Sequence, residues 1–298
     1  MDEFLFENIT VISVTYQSES IIQELAKTLL NFKHVVIVDN ASSDATLTKI
    51  TKYIPHAKII ANASNLGFGA GNNIGVAAAH TEYALLLNPD CQISVDDVVK
   101  LVDAAVDYPS AGLIAPQGID ANGKNQPSYR HAFYEKRPRG PYHLPDGVCS
   151  ARWLHGCCLL TRTDAFKKFG GFDTRFFLFF EDDDLCLKCI DSGFDCIVQP
   201  AATVVHLGGK SSTPSYKTDF LKQYHWARSK FQLINKYQGY PKALLYRVKI
   251  AVCSPFAILL FTLLGRKKYL IKWLAWACFA WALSGEKKER HFMVKEQL

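Results

Sequence analysis

The chain has 298 residues, of which 49% are hydrophobic and 21% are charged, a balance that excludes an intrinsically disordered protein and allows one large or two smaller domains. Its net charge of +6 is concentrated after residue 245, where ten basic and three acidic residues lie. Because the first 245 residues carry 24 basic and 25 acidic side chains, the composition argues against a nucleic-acid groove across the main domain.

The nine cysteines are scattered without the spacing of a disulfide framework, which favours a reducing, cytoplasmic setting. Cys186 and Cys189 form one C-x-x-C inside a predicted helix, with no second ligand pair in the sequence. Packing thiols are therefore favoured over a zinc or redox site. The N-terminal residues show neither a basic region nor a small-residue cleavage site, so no secretory signal is predicted.

Apolar, β-branched runs alternate with helical patterns through the first 116 residues. Strands are predicted at 9–16, 34–40, 57–62, 82–90 and 111–116, and helices at 20–31, 45–54, 69–80 and 95–108. This alternation predicts an α/β fold with a mostly parallel sheet that is covered by helices. Ligands of such sheets bind beyond the carboxyl ends of the strands, where this sequence places polar residues.

The composition changes between 117 and 150, where proline, glycine and charged residues predict a long loop over the site. The regular pattern then resumes. A strand is predicted at 152–162, helices at 163–169 and from about 183 to 192, and short strands at 196–200 and 203–207.

Polar residues at the ends of the first predicted strands indicate a nucleotide site. Asp39 closes the second strand, where it is either a nucleobase acceptor or an ordinary turn acid. Asp44 can contact the nucleoside, or it can cap the next helix together with Ser42 and Ser43. The glycine-rich segment 67–71 can bring backbone N–H groups close to a pyrophosphate, although it matches neither a dinucleotide-binding fingerprint nor a P-loop.

Asp90 ends the apolar segment "LLLNPD", where a carboxylate suits a hard divalent cation such as Mg²⁺. Taken alone, the segment also fits an ordinary Asn-Pro-Asp turn. His206 follows another predicted strand, and a lone histidine is more often a packed or surface residue than a metal ligand. Beside Asp90 it becomes a second ligand, and its imidazole extends the choice of ion to Mn²⁺.

Four consecutive acids, Glu181, Asp182, Asp183 and Asp184, follow a phenylalanine-rich segment. The helix dipole stabilises acids in the first turn by about 0.3–1 kcal/mol each, which explains two such residues better than four. A carboxylate that phenylalanines shield from water has a raised pKa, as a general base requires. The segment is interpreted either as a solvated helix start or as the position of a catalytic base.

Taken in series, these segments resemble the family 2 glycosyltransferases of the GT-A fold, and their rhamnosyltransferase-like branch most of all. The resemblance covers about residues 9–235 and rests on "VTY", "VDNASSD", "NLGFGAGNN", "LLLNPD", W-x-x-G, "GGFD" with the acidic run after it, and "VVHLGGKS". It implies a transferase domain at 1–240, with a nucleotide-binding half at about 1–116 and an acceptor-binding half at about 117–240.

The resemblance also implies a role for each matching position. Asp182 corresponds to the catalytic base, and Asp90 and His206 correspond to the ligands of Mg²⁺ or Mn²⁺. Asn88 stands where the family's metal motif often has a first aspartate, and Lys188 where the family commonly has arginine. The implied donor contacts are Thr15, Tyr16, Asp39, Asp44, Asn65, Gly67 and Asn72, and the implied acceptor contacts are Trp153, Gly156 and Glu181.

The implied reaction is an inverting sugar transfer in cell-surface polysaccharide synthesis. The cation neutralises the diphosphate leaving group, and Asp182 takes the proton of an acceptor hydroxyl. The implied donor is dTDP-L-rhamnose, and the implied acceptor is a lipid-linked saccharide at the cytoplasmic face of the membrane. A UDP-hexose donor and a non-catalytic nucleotide-sugar-binding protein remain as alternatives.

The basic C-terminal segment, 241–298, contains apolar runs at 250–264 and 269–283. Each run is shorter than the roughly 20 residues that a spanning helix needs, and Pro255 interrupts the first. The second run places three tryptophans on one helical face, Trp273, Trp276 and Trp281. With lysines and arginines around them, they favour a helical hairpin in the membrane interface over core packing or a shallow two-helix span.

Overall fold

The structure is a computed structural model that describes residues 7–135, 143–207 and 215–282. The chain divides into two compact units, Met1–Thr213 and Pro214–Leu298. The sequence placed this boundary near residue 240. It comes earlier because the helix that follows residue 215 packs its buried Ala227 into the core of the C-terminal helices.

Strands and helices alternate along the first unit, as predicted. Its strands among the described residues are β1 Ile9–Thr15, β2 His34–Asp39, β3 Lys58–Ala61, β4 Tyr83–Leu87, β5 Cys91–Ile93, β6 Ala111–Ile119, β7 Tyr129–Arg130, β8 Cys149–Ser150, β9 Trp153–Leu154, β10 Cys158–Arg162 and β11 Asp195–His206. Its helices are α1 Ile22–Leu29, α2 Thr46–Tyr53, α3 Phe68–Ala77, α4 Val95–Asp107, α5 Thr163–Lys168 and α6 Glu181–Asp191.

The central sheet has the strand order β3-β2-β1-β4-β10-β6-β11-β5, and β8 also pairs with β11. β1 runs parallel to β2 and β4, and β2 runs parallel to β3. β10 lies antiparallel between β4 and β6, and β5 pairs antiparallel with the end of β11. The predicted α/β class is confirmed, and the carboxyl ends of β1, β2 and β4 share one edge of the sheet.

Both faces of the sheet are buried, which explains the unbroken apolar strands. All positions of β1 are buried, and they alternate between two cores. Ile9 and Val11 belong to the core that α1, α2 and α4 cover, whereas Ile12 and Val14 belong to the core under α3, α5 and α6. With both faces apolar, the polar residues of this unit collect at the strand ends.

Two predicted strands differ in the structure. The run at 152–162 divides into β9 and β10, with His155 and Gly156 between them. The short strands predicted at 196–200 and 203–207 form one strand, β11, with a register shift between Gln199 and Thr203. An irregularity of this kind bends a strand and re-aims its end, which here carries the residues after Thr203.

The loop predicted at 117–150 is partly tied to the sheets. β6 continues to Ile119, and the Gln126 N–H donates to the Gly118 carbonyl at 2.8 Å. β7 and β9 form a separate two-stranded sheet. Residues 136–142 of the predicted loop lie outside the described residues.

Three helices make up the second unit in its described part: α7 Tyr216–Gln238, α8 Tyr240–Leu263 and α9 Lys267–Trp281. Trp276 stacks on Trp226 with ring centroids 5.1 Å apart, whereas Trp281 is exposed. The tryptophans of the predicted stripe therefore do not share one environment, because Trp276 is packed and Trp281 is exposed. The predicted membrane segment from residue 283 onward lies outside the described residues. The shared core of the three helices consists of Ala227, Ile250, Phe279 and Ala280.

The apolar run predicted at 250–264 belongs to a longer helix, because α8 continues through Pro255. Proline lacks the N–H that would bond to the Ala251 carbonyl, and the Ser254 hydroxyl donates to that carbonyl at 3.2 Å instead. Among the described residues, α8 is the one helix whose length and composition would allow it to cross a membrane. Only 11% of its most apolar window is buried.

The close contact between α3 and β1 requires a glycine at position 75. A Cβ atom there would overlap the Cγ2 methyl group of Ile12, a buried residue with a stiff β-branched side chain. We expect Gly75→Ala to lower the free energy of unfolding by about 1–3 kcal/mol, although alanine has the higher helix propensity. Gly147→Ala adds the same methyl group in open space and is the control in guanidinium unfolding. Equal effects of the two substitutions would contradict this packing role.

Candidate active site

Asp39 organises the loops at the carboxyl ends of β1 and β2. Its Oδ1 accepts hydrogen bonds from the Thr15 hydroxyl at 2.9 Å and the Ser42 hydroxyl at 2.6 Å. Its Oδ2 accepts from the Ser42 N–H at 2.8 Å, and the residue is fully buried. Asp39 is therefore more than a turn acid, because it holds the two strand ends in a fixed arrangement.

Asp44 has the capping contacts that were one of its two predicted roles. Its Oδ1 accepts from the N–H and the hydroxyl of Thr46, the first residue of α2, and its Oδ2 accepts from the Glu19 N–H at 3.2 Å. Tyr16 lies half-buried in the neighbouring loop, and its N–H donates to Ser18 Oγ. Both predicted donor contacts thus belong to the loops at this sheet edge.

The loop before α3 crosses closely over the segment that precedes α6. Gly67 has a left-handed backbone, with φ of 91°, and a Cβ atom there would lie 2.5 Å from the Phe177 carbonyl oxygen. The Phe68 N–H donates to the same carbonyl at 3.2 Å. Asn65 Oδ1 accepts from the Gly67 N–H at 2.9 Å, and the Asn40 amide donates to the Gly67 carbonyl at 3.1 Å. This crossing joins the predicted donor loop to the acidic helix.

The glycines of α3 serve packing as well as backbone approach. A Cβ atom on Gly71 would lie 2.7 Å from Val14 of β1, and one on Gly69 would lie 2.8 Å from Phe172. Asn72, a predicted donor contact, is buried in the same helix, where its amide donates to the Phe68 carbonyl at 3.1 Å. α3 therefore holds the donor loop tightly against the sheet.

Asp90 and His206 come together, as predicted, because β5 pairs with the end of β11. His206 Nε2 lies 3.6 Å from Asp90 Oδ1, and the Leu207 N–H donates to the Asp90 carbonyl at 3.0 Å. The interaction with the Asp90 carboxylate outweighs burial and raises the pKa of His206. Residues 208–210, which belong to the motif "VVHLGGKS", lie outside the described residues.

The donor set at this corner fits a divalent cation. A carboxylate oxygen and an imidazole nitrogen at 3.6 Å are close enough to serve as two ligands of one ion. Asn88 Oδ1 is buried on the same turn and has no hydrogen-bond partner among the described residues. An orphaned carbonyl oxygen of this kind is a suitable additional partner for an ion or its water shell.

The four acids form the first turn of α6, which begins at Glu181 rather than near residue 183 as predicted. The start is earlier because Phe179 and Phe180 both have left-handed backbones, with φ of 68° and 64°, and turn the chain just before the helix. For bulky residues this conformation costs about 1–2 kcal/mol each. Backbone strain of this kind concentrates at functional sites.

The four acids occupy different environments. The run as a whole is therefore neither a solvated helix start nor a set of equivalent candidates for a catalytic base. Asp183 is buried and accepts from Arg130 Nη2 with both oxygens at 2.7 Å. The Arg130 guanidinium also lies 4.1 Å from the centre of the Trp153 ring. Asp184 is fully buried, whereas Asp182 is half-buried and lies beside Gly156, where a Cβ atom would be 3.1 Å from the Asp182 Cβ. Asp182 is thus the acid of the run that is most exposed to solvent.

Glu181 is the acid whose ionisation the site suppresses. It is 8% exposed, and its Oε2 has no hydrogen-bond partner among the described residues. Burial, followed by the charge of Asp182, raises its pKa to about 8. Glu181 is therefore protonated at neutral pH and can donate a hydrogen bond.

His155 is a site residue that the sequence analysis missed. Its ring lies 5.4 Å from the His206 ring and 5.7 Å from the Trp153 ring. Burial by itself lowers its pKa, but Cys157 and the charges of Asp182 and Asp90 together raise it to about 9. His155 thereby connects the metal corner with the acidic helix. The available signal was its place within W-x-x-G, directly before Gly156.

The comparisons with known proteins decide the family. The model of "Glycosyl transferase family 2" matches residues 10–170. The chain belongs to this family. The N-acetylglucosaminyl-diphospho-decaprenol L-rhamnosyltransferase of Mycobacterium tuberculosis is 29% identical over 229 residues, which cover 66% of this chain and 75% of the relative. Rhamnosyltransferase WbbL of Escherichia coli is 26% identical over 240 residues, which cover 72% and 88%.

Solved structures show the fold of this glycosyltransferase. The mannosyltransferase PcManGT from Pyrobaculum calidifontis, in complex with GDP-Man and Mn²⁺, has a TM-score of 0.58 at 16% identity, covering 93% of this chain and 88% of that one. GalNAc-T7 with UDP, GalNAc and Mn²⁺ has a TM-score of 0.57 at 16% identity, and the chain spans only 51% of its length. The predicted GT-A fold is confirmed, and the chain is a rhamnosyltransferase-like member of family 2.

The buried Glu181 makes the stability of this glycosyltransferase depend on pH. Because its pKa in the folded state, about 8, lies above the ordinary 4.5, the folded protein binds more protons between these values, and stability falls as the pH rises through them. The glutamine of Glu181→Gln stays neutral at every pH, so the variant does not share this loss. We therefore expect the free energy of unfolding of the variant, measured relative to that of wild type, to be about 1–3 kcal/mol higher at about pH 9 than at about pH 5. Thermal unfolding against pH measures this change.

The matched control for Glu181 is the exposed Glu82. Glu82→Gln removes one carboxylate from the surface, so its stability relative to wild type should be nearly constant over the same range. A flat profile for Glu181→Gln as well would show that the carboxyl group of Glu181 is not held neutral in the folded protein.

Proposed function

We propose that this glycosyltransferase is an inverting, metal-dependent enzyme that moves L-rhamnose from dTDP-rhamnose onto a lipid-linked saccharide in cell-surface polysaccharide synthesis. The observation that carries the proposal is the Asp90–His206 pair. The His155 ring lies 5.4 Å from the His206 ring, and the charge of the half-buried Asp182 contributes to the raised pKa of His155. The relatives support the choice of sugar and acceptor, since two are named rhamnosyltransferases and one of these names a decaprenol-linked acceptor.

The donor nucleotide binds at the carboxyl ends of β1 and β2 in this proposal. Thr15, Tyr16 and Asp39 line the strand ends, while Asp44 keeps the second loop in shape through its contacts to Thr46. The diphosphate and sugar lie along the loop before α3, at Asn65, Gly67 and Asn72. The tight crossing of Gly67 over Phe177 then sets the distance between the donor sugar and the acidic helix.

Asp90 and His206 hold the cation, which is Mg²⁺ or Mn²⁺. When bound, the ion stabilises the negative charge that develops on the diphosphate leaving group. The low exposure of Asp90, 3%, favours this role because a buried carboxylate gains most from a cationic partner. The hard oxygen ligand of Asp90 and the imidazole of His206 suit both ions.

Asp182 takes the proton from the acceptor hydroxyl as its oxygen attacks the anomeric carbon from the opposite face. Gly156 lets the backbone after Trp153 approach Asp182 closely, since a Cβ atom there would lie 3.1 Å from the Asp182 Cβ, and it contributes with Trp153 to the acceptor site. The protonated Glu181 donates a hydrogen bond that positions another acceptor oxygen. Trp153, held under the Arg130 guanidinium, provides the apolar shelf for the sugar ring.

The acceptor is reached at the cytoplasmic face of the membrane, where the C-terminal unit attaches the enzyme as a peripheral or monotopic protein. α8 presents large apolar side chains to solvent, and neighbouring basic residues suit an anionic lipid surface. The exposed apolar residues of α8 are Leu244, Leu245, Val248, Val252, Phe256, Leu259, Leu260 and Leu263.

The catalytic role of Asp182 is tested by Asp182→Asn. The amide cannot accept the hydroxyl proton, so we expect kcat to fall by about 100- to 10,000-fold. The donor site does not include Asp182, so binding of the nucleotide sugar should persist. Transfer assays measure kcat, and thermal shifts with dTDP-rhamnose, UDP-glucose and GDP-mannose, each with and without Mn²⁺, measure donor binding.

Asp191→Asn makes the same change at an exposed position on the same helix and should leave kcat unaltered. If wild type shows donor binding but no turnover, the chain is a non-catalytic binding protein. If UDP-glucose rather than dTDP-rhamnose gives the Mn²⁺-dependent thermal shift, the donor assignment is wrong and the metal-dependent transferase stands. If no nucleotide sugar stabilises the protein, the proposed function fails.

Membrane attachment is tested on the exposed face of α8. Phe256 is 73% exposed and Leu260 is 51% exposed, so replacing both with glutamate should leave the helix bundle folded. Each substitution removes about 1.5–3 kcal/mol of apolar burial in lipid, so we expect binding to anionic vesicles to fall at least about tenfold in flotation assays. The control is the same change at Leu30 and Val106, which are similarly exposed in the first unit. Unchanged flotation of the α8 variant would refute this attachment.

A further inference from the structure

Two buried cysteines share His206 with the proposed cation site. Among the described residues, one group of three metal-ligating side chains has its donor atoms mutually within 4.8 Å, and it consists of Cys91, Cys157 and His206. The sulfur atoms of Cys91 and Cys157 thus lie within 4.8 Å of each other. Neither thiol has a role in the proposed transfer reaction.

The backbone holds this group rigidly. The antiparallel pairing of β5 with β11 places Cys91 directly opposite His206. The Asn88 N–H donates to the Cys157 carbonyl at 2.8 Å, which ties the segment before β10 to the turn that carries Asp90. Both cysteines are almost fully buried. The three donor atoms are therefore preorganised, because little movement is open to the elements that carry them.

The chemistry of this group differs from that of the Asp90 corner. Two soft thiolates with a borderline imidazole select Zn²⁺ or Cd²⁺ over Mg²⁺ and Mn²⁺, whereas the carboxylate of Asp90 is a hard ligand. Zinc sites commonly combine two thiolates with nitrogen ligands and a fourth ligand that is water or a carboxylate. His206 is the one residue that belongs to both ligand sets.

The other buried thiols do not form such a group. The Cys186 sulfur accepts from the Leu154 N–H at 3.3 Å, and the Cys196 thiol donates to the Cys186 carbonyl at 3.6 Å. The Cys189 thiol donates to the Asp195 carbonyl at 3.8 Å. In these contacts the sulfur atoms of the three cysteines bond to backbone groups.

We propose that Cys91, Cys157 and His206 form a binding site for a thiophilic divalent cation, Zn²⁺ or Cd²⁺, and that its occupation withdraws His206 from Asp90. Each cysteine binds the ion as a thiolate, so a thiol proton that is still present is released to solvent as the ion binds and is recovered when a chelator removes the ion. Loss of His206 weakens the hold of Asp90 on Mn²⁺. Only the resulting inhibition of sugar transfer rests on the proposed function, since the binding of Cd²⁺ does not require a reaction.

The site is tested first by Cd²⁺ binding to the full chain. We expect one Cd²⁺ per protein, with thiolate-to-metal charge-transfer absorption and a ¹¹³Cd chemical shift that reports two sulfur ligands. Cys91→Ser and Cys157→Ser should each weaken Cd²⁺ binding at least about tenfold. Cys158→Ser, a buried neighbour, and Cys278→Ser, an exposed thiol, should not. Absence of the charge-transfer band in folded wild type, or its persistence in both cluster variants, would overturn the site.

The competition for His206 is tested by electron paramagnetic resonance of free Mn²⁺. Zn²⁺ should lower the affinity of wild type for Mn²⁺ at least about tenfold, and Cys91→Ser should abolish this effect. His206→Gln should weaken both ions, whereas Asp90→Asn should weaken Mn²⁺ alone. Simultaneous binding of Zn²⁺ and Mn²⁺ without loss of affinity would overturn the competition. Because these measurements need no turnover, they decide the proposal even if Asp182→Asn shows that the proposed function is wrong.

Discussion

The pairing of β5 with the end of β11 is the constraint on which the site depends. It joins a turn near residue 90 to a strand end beyond residue 200, and it brings Asp90 within 3.6 Å of His206. The Leu207 N–H and the Asp90 carbonyl close this corner with a backbone hydrogen bond. The same register sets Cys91 opposite His206. The backbone pairing of two strands therefore fixes the relative positions of Asp90, Cys91 and His206.

The second constraint is the crossing of Gly67 over Phe177. It brings the loop before α3 against the segment that leads into α6, at a distance that only glycine allows. The strained backbones of Phe179 and Phe180 then aim the first turn of α6. Strain of this kind persists because the surrounding contacts over-determine the chain path. The loop before α3 and the segment that leads into the acidic helix are thereby held against each other.

The acidic run shows how one helix turn accommodates four carboxyl groups. Asp183 is neutralised by Arg130, and Glu181 avoids charge because burial raises its pKa to about 8. Asp184 is fully buried, while Asp182 is half-buried and stays accessible to solvent. Unequal environments thus reduce the charge repulsion that four consecutive acids would otherwise have. The phenylalanines contribute by turning the chain and limiting the access of water.

The sequence by itself determined the α/β class and most element positions, and it singled out Asp90 and His206 as a pair, because these depend on local periodicity and on motifs at strand ends. It could not determine the partner of Asp183, the place of His155 or the unit boundary, since these depend on contacts between distant segments. The single helix through Pro255 also required the structure, because a hydroxyl from Ser254 replaces the missing N–H. Only the tertiary structure decided that the Glu181 carboxyl group is held neutral, since burial and the charge of Asp182 raise its pKa to about 8.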